Sequence, residues 1–278
     1  MRRHSTSAVP AYFDQILGDF DPARSSRAVH LGFWQNAQQP RESFDDFLLA
    51  QTRLNDWLLG ELGAEDGDCI LDVGCGLGAT LESLNGSISS ARLVGVNIDE
   101  RQLQACRTLA AQRNNRLQWQ LADACSLPFS DSSIDAVISV EAMFHFSSRK
   151  RFFSEVARVL KPGGQFIATD MITSESLLQL PTPGFLVEAA LQDGYGPWPD
   201  FWGKEADHTA LAENAGLQSL WYRDISCETL PSYRFTTPSK IDWQNDSHDI
   251  ATRSALTLRW LHENNYLSYV AMAYQKSS

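Results

Sequence analysis

The stretch CILDVGCGLGAT, Cys69 to Thr80, sets a short apolar run directly against Gly74, Gly76 and Gly78. Glycines let a backbone turn sharply and approach a ligand closely, and the start of a following helix adds partial positive charge. The letters GCGLGA also satisfy a dinucleotide-binding pattern, because Gly74 and Gly76 are followed by Ala79. A strand-to-helix turn with no ligand gives the same letters, so the glycines alone decide little. Asp72 decides more. It stands two residues ahead of Gly74 near the end of a buried strand, where a carboxylate is costly unless it meets a cation or donors. A pyrophosphate gains nothing from that negative charge, whereas a ligand carrying an ammonium and a sulfonium does. The loop therefore points to S-adenosylmethionine rather than to NAD.

Outward from this loop, short apolar runs alternate with helical patterns. Strand candidates are CILDVG, RLVGVN (92–97), RLQWQL (116–121), DAVISV (135–140), QFIATDMI (165–172), LQSLWYRDI (217–225) and LSYVAMAYQ (267–275). Such alternation predicts βαβ units: an α/β fold with a seven-stranded, mostly parallel Rossmann-like sheet and helices on both faces. In NIDERQLQACRTLAAQ, Asp99 is an N-cap candidate and Gln102 completes a capping box, with Leu103, Cys106 and Ala110 on one apolar face and Leu109 beside it. RKRFFSEVARVLKPGG reads as an amphipathic helix stopped by Pro162 and Gly163.

The chain has 278 residues, enough for one large domain. Its 34 acidic against 23 basic residues give a net charge of −11, which repels nucleic acid phosphates. Five cysteines without CxxC spacing read as reduced thiols of a cytoplasmic protein, and no zinc-type spacing suggests a metal. The N-terminus lacks the apolar segment of a secretory signal, and no apolar run has the ~18 residues of a membrane span.

Four motifs stand in order: LDVGCGLG, VGVNIDERQL, LADACSLPFSDSSIDAVISVEAMFH and LKPGGQFIATD. Together they resemble the class I S-adenosylmethionine-dependent methyltransferases, in particular the small-molecule subgroup acting on quinones, sterols, tocopherols and natural-product sugars. The resemblance covers about residues 45–172. It implies one methyltransferase domain with N-terminal cap helices (1–45), a cofactor-binding core (46–172), substrate-cap insertions (173–204 and 228–262), and segments 205–227 and 263–278 completing the sheet. It also implies S-adenosylmethionine as cofactor, with S-adenosylhomocysteine as product. Asp72, Gly74, Gly76 and Gly78 would surround its methionine part. Asn97, where most relatives have Asp or Glu, would face the ribose hydroxyls with Ile98 and Gln102 beside it. Asp123 and Ala124 would meet the adenine, although Asp123 also suits a loop cap. Glu141 is placed near the cofactor by the same pattern, and a structural hydrogen bond serves it equally well.

Methyl transfer to a hydroxyl requires positioning of the acceptor and removal of its proton. By resemblance to relatives acting on sugar hydroxyls, His145 in SVEAMFHF is the candidate base and Asp170 in FIATDMI its orienter. Each also suits a structural reading: His145 as an anchor for the next helix, Asp170 as a turn cap. In HLGFW (30–34), His30 and Trp34 are candidates to line the acceptor pocket, as are Met143 and, in GYGPWPDFWG (194–203), Trp198 and Trp202. The aromatic residues equally suit plain core. His208, His248 and His262 receive no role. The expected reaction is O-methylation of a small-molecule acceptor. Carbon methylation of a prenyl or polyketide acceptor, or non-catalytic binding of the cofactor, remains open, as does a homodimer.

Overall fold

The computed structural model describes residues 11–18, 20–21, 26–35, 43–179, 184–198, 205–238 and 249–277. Helices α1 (Ala11–Gly18) and α2 (Phe44–Leu62) precede strand β1 (Cys69–Val73). The alternation then runs α3 (Ala79–Ser87), β2 (Arg92–Asn97), α4 (Glu100–Cys106), β3 (Arg116–Leu121), β4 (Ile134–Ser139), α5 (Arg149–Val159) and β5 (Leu160–Thr173). After β5 come α6 (Gly184–Tyr195), α7 (Glu205–Asn214), β6 (Leu217–Asp224), the short turns α8 (Ser226–Thr229) and α9 (Tyr233–Thr236), α10 (Ile250–Glu263) and β7 (Leu267–Lys276).

The strands form a seven-stranded sheet in the order β3-β2-β1-β4-β5-β7-β6. β7 runs antiparallel to β5 and β6, and the remaining neighbours are parallel. Successive side chains of a strand point to opposite faces, and the core divides accordingly. Ile70, Leu93, Ile138 and Ile167 join one apolar cluster. Their sequence neighbours Leu71, Val94, Val137 and Phe166 join the other. Being buried on both faces is what makes these strands read as continuous apolar runs.

Two helices depart from the sequence reading. α4 ends at Cys106, short of Leu109 and Ala110, because the Thr108 and Leu109 amides turn back onto the Ala105 and Cys106 carbonyls in tight i→i−3 bonds. Asp99 does cap it, accepting from the Arg101 amide, but Gln102 closes no capping box: the Asp99 amide donates to Asn97 Oδ1 instead. α5 stops at Val159, three residues ahead of Pro162, since Leu160 turns extended and already pairs with Ile134.

The chain order reverses between β1 and β4, which lie side by side while their crossovers lead in opposite directions. A crevice opens beyond the carboxyl ends of strands at such a switch point. Above it α6 packs on α10, and α1 packs on both.

Candidate active site

One cavity lies over the switch point, bounded below by the loop after β1 and above by side chains of α1, α6 and α10. Its floor is the glycine loop, where Gly74, Gly76 and Gly78 take φ of +78°, +52° and +90°. These values lie in the left-handed region that disfavours side chains. At Gly74 space is limiting as well: a Cβ there would sit 2.4 Å from that of Ala142.

Asp72, the penultimate residue of β1, stands in the cavity wall, 2% exposed, and its Oδ2 has no hydrogen-bond partner among the described residues. Burial pushes its carboxyl up to about 7. An orphaned, buried carboxylate oxygen at a cavity wall is a vacant seat for a cation or a strong donor. Gln102 supplies the complementary orphan, since its Nε2 is buried in the same cavity lining without a partner among the described residues. Its Oε1 accepts from Asn97 Nδ2 at 2.9 Å, and Asn97 Oδ1 is held by the Asp99 amide. The Asn97 amide is thus engaged inward, and the free donor of this network is on Gln102. Asp123 caps its loop by accepting from the Cys125 amide at 2.8 Å, and it lines the cavity together with Ala124 and the half-exposed Ile98. These groups fit S-adenosylmethionine: a carboxylate for its cationic end, an amide donor for a diol, and a short polar loop for the base.

Glu141 follows β4 with φ of +48°. Its Oε1 accepts from the Leu31 amide at 2.5 Å and from the Tyr269 hydroxyl at 2.7 Å, so it ties the N-terminal segment and β7 to the cavity wall. Burial outweighs these donors and raises its carboxyl to about 7. His145 sits in a single 3-10 turn (Met143–His145) and lines the cavity. Its Nδ1 contacts the backbone carbonyl of Tyr195, and burial lowers its pKa to about 4.

The expected pairing of His145 with Asp170 is not formed. Asp170 is fully buried and taken by other partners: Arg149 Nε at 2.6 Å, Arg149 Nη2 at 3.2 Å and His208 Nε2 at 2.9 Å. Burial alone would raise its carboxyl, but the adjacent guanidinium and imidazole hold it below the ordinary carboxylate value. His208, given no role from sequence, bridges Asp170 and the Tyr222 hydroxyl. The sequence did carry a signal for both partners. Arg149 shares the spacing of Phe152, Phe153 and Val156, and His208 that of Leu211, Ala212 and Ala215. Each is a polar residue on an apolar helical stripe.

Three substrate-side candidates are core residues instead of cavity lining. Trp34 donates from Nε1 to Ser232 Oγ at 2.9 Å and stacks on Phe235. Met143 is fully buried in the cluster beneath β4 and β5. Trp198 is 1% exposed and stacks on Phe144 with ring centroids 4.7 Å apart, while its neighbour Pro197 reaches the cavity. Trp202 lies outside the described residues. His30 does line the cavity, buried, with Nδ1 against the Leu31 carbonyl. Tyr12, Tyr195, Tyr233 and Leu258 complete the upper wall. Tyr12 stands at helical spacing with Ile16 on α1, whereas Tyr233 comes from a four-residue helix too short to show periodicity.

Comparison with known proteins agrees with this geometry. Residues 71–168, which span β1 to the middle of β5, match the "Methyltransferase domain" family. The chain is 30% identical over 225 residues to methyltransferase GfsG of Streptomyces halstedii, covering 80% of this chain and 76% of the relative. It is 30% identical over 208 residues to the 27-O-demethylrifamycin SV methyltransferase of Amycolatopsis mediterranei (strain S699), covering 74% of this chain and 72% of that one. Among solved structures, geranyl diphosphate C-methyltransferase of Streptomyces coelicolor A3(2), determined with Mg2+, geranyl diphosphate and S-adenosyl-L-homocysteine, superposes with a TM-score of 0.70. At 16% identity over 96% of this chain and 98% of that one, it shares the fold.

Proposed function

Because the chain belongs to the class I S-adenosylmethionine-dependent methyltransferases of small molecules, we propose that it methylates a hydroxyl of an uncharged, largely apolar natural product, with His145 taking the proton. When bound, S-adenosylmethionine supplies a methyl carbon activated by its sulfonium. Asp72 Oδ2 takes the cationic methionine end, with Gly74, Gly76 and Gly78 letting the backbone close around it. Gln102 Nε2, steadied by Asn97, faces the ribose hydroxyls, and Asp123 with Ala124 faces the adenine. The single observation that carries this reading is the Oδ2 of Asp72, which has no partner among the described residues and lines the same cavity as His145.

The acceptor half of the cavity combines Tyr12, Phe13, Phe144, Met171, Tyr195 and Leu258. Arg27, which also borders the cavity, has its guanidinium engaged by the Leu77 and Ala105 carbonyls and Thr108 Oγ1. The acidic residues Asp72, Asp123 and Glu141 also line the cavity, so an anionic acceptor gains nothing here. His145 is neutral at pH 7 by its lowered pKa. With Nδ1 bonded to a carbonyl, its lone pair is on Nε2, the form a general base needs. Segments 173–204 and 228–262 serve as the substrate cap, with α6 and α10 as their described helices. The net charge of −11 and the free cysteines of the described chain suit a reducing cytoplasm and no nucleic acid partner.

The test is formation of S-adenosylhomocysteine and a +14 Da product, followed by mass spectrometry, against hydroxylated polyketides and their carboxylated analogues. General-base work contributes about 10²–10⁴ in rate, so His145→Ala is expected to lower turnover by that range while cofactor binding is unchanged. Full turnover of the variant at saturating acceptor overturns the base assignment.

A further inference from the structure

With Asp170 bound to Arg149 and His208, something other than a carboxylate has to fix the His145 ring. Among the described residues that ring has one hydrogen-bonding neighbour, the backbone carbonyl of Tyr195 at the last turn of α6. A carbonyl only accepts, so Nδ1 facing it must carry the proton and Nε2 the lone pair. The Tyr195 carbonyl is itself closely held. Its ring packs against Tyr12 at 5.1 Å and edge-on to Phe144 at 6.0 Å. One residue earlier, Gly194 meets α10 with no space to spare: a Cβ on it would lie 2.1 Å from Ser254 Oγ and 2.4 Å from Ser254 Cβ. Ser254 Oγ in turn lies 2.6 Å from the Ala190 carbonyl of α6 and 2.8 Å from the Ile250 carbonyl of its own helix, bridging the two helices.

We propose that the end of α6, seated through Gly194 on Ser254, is the positioning element of the methyl-transfer site: its Tyr195 carbonyl selects the Nδ1–H tautomer of His145 and presents Nε2 to the acceptor. The role given to Nε2 rests on His145 being the base, whereas the tautomer itself does not. Gly194, Tyr195 and Ser254 act through His145 and are positioning residues. The depth of the Gly194–Ser254 contact sets how far α6 stands from α10, and hence where the carbonyl sits over the imidazole. Asp170 contributes at longer range as a buried negative charge that favours the protonated ring. Burial opposes it more strongly, so the neutral tautomer is the resting form.

The test reads the tautomer without needing the natural acceptor. Protein labelled with ¹⁵N-histidine and saturated with S-adenosylhomocysteine is recorded by long-range ¹H–¹⁵N correlation, with His145 assigned from the spectrum of His145→Gln. The expected pattern for His145 is a protonated Nδ1 and an unprotonated Nε2 at pH 7. Gly194→Ala is expected to convert it to the Nε2–H form or a mixture, and the double variant Gly194→Ala/Ser254→Gly to restore it. A wild-type ring in the Nε2–H form overturns the proposal, and so does a Gly194→Ala ring unchanged from wild type. The wild-type spectrum decides by itself if Gly194→Ala does not fold. Turnover separates the two readings: a correct tautomer with fully active His145→Ala removes the base and leaves the positioning contact in place.

Discussion

At Asp72 a single carboxylate stands among apolar neighbours near the end of β1, with one oxygen unpartnered among the described residues and 2% of the residue exposed. Its folded pKa of about 7 against an ordinary 3.8 means the native state keeps a proton that the unfolded chain releases between those values. Stability of the cofactor-free protein therefore falls as pH rises through that window, by about 1.4 kcal/mol per pH unit. The sum at pH 7 is on the order of 4 kcal/mol. Glu141 contributes in the same direction over a similar range, raised from 4.5 to about 7. Asp72→Asn is accordingly expected to melt above wild type at pH 8, by several degrees, with the gap closing towards pH 4. The same variant is expected to lose most affinity for S-adenosylmethionine in calorimetric titration. Wild-type affinity is expected to weaken as pH drops below about 7, because the site must first give up its proton. A variant that melts lower than wild type at pH 8 and still binds would show that the carboxylate has a structural partner.

Among elements, the Arg149–Asp170–His208 cluster fastens α5 and α7 onto β5 at its carboxyl end. Removing one member of a buried, hydrogen-bonded charge pair leaves the other uncompensated and costs about 3–5 kcal/mol. Arg149→Met is expected to lose stability of that order in urea unfolding at pH 7, and Arg149→Met/Asp170→Leu to recover most of it. An Arg149→Met curve overlaying wild type would show that water, not protein, satisfies Asp170. This cluster also marks where the sequence stops being legible. The central strands were readable as apolar runs closed by turn residues, β3 and β6 as β-prone segments in the alternation, and the glycine loop because its pattern is local to Asp72–Gly78. The partner of Asp170 was not, since a strand end and two helices separated by 21 and 38 residues meet only in three dimensions. Trp34, Met143 and Trp198 were misplaced for a related reason. Aromatic and sulfur side chains near a cavity satisfy burial equally well behind its wall as in it.

Across the whole molecule, the cavity joins two layers of different construction. The floor belongs to the sheet and its switch point, where parallel pairing continues on both sides of β1. The roof is α1, α6 and α10, which contact one another and approach the cofactor end through side chains. A ligand that meets only the floor should order the floor alone. S-adenosylhomocysteine at 100 times its dissociation constant adds about 2.7 kcal/mol, which for a chain of this size corresponds to roughly 5–10 °C in melting temperature. Hydrogen exchange should then divide the molecule. With S-adenosylhomocysteine alone, protection is expected to increase at Gly74–Gly78 and at the start of α4, where Gln102 stands. With an acceptor added, it should spread to α6 and α10, because Tyr195 of α6 and Leu258 of α10 line the acceptor half and meet a ligand there only when that half is filled. Equal protection of α6 and α10 by S-adenosylhomocysteine alone would mean that the roof closes on the cofactor before any acceptor binds.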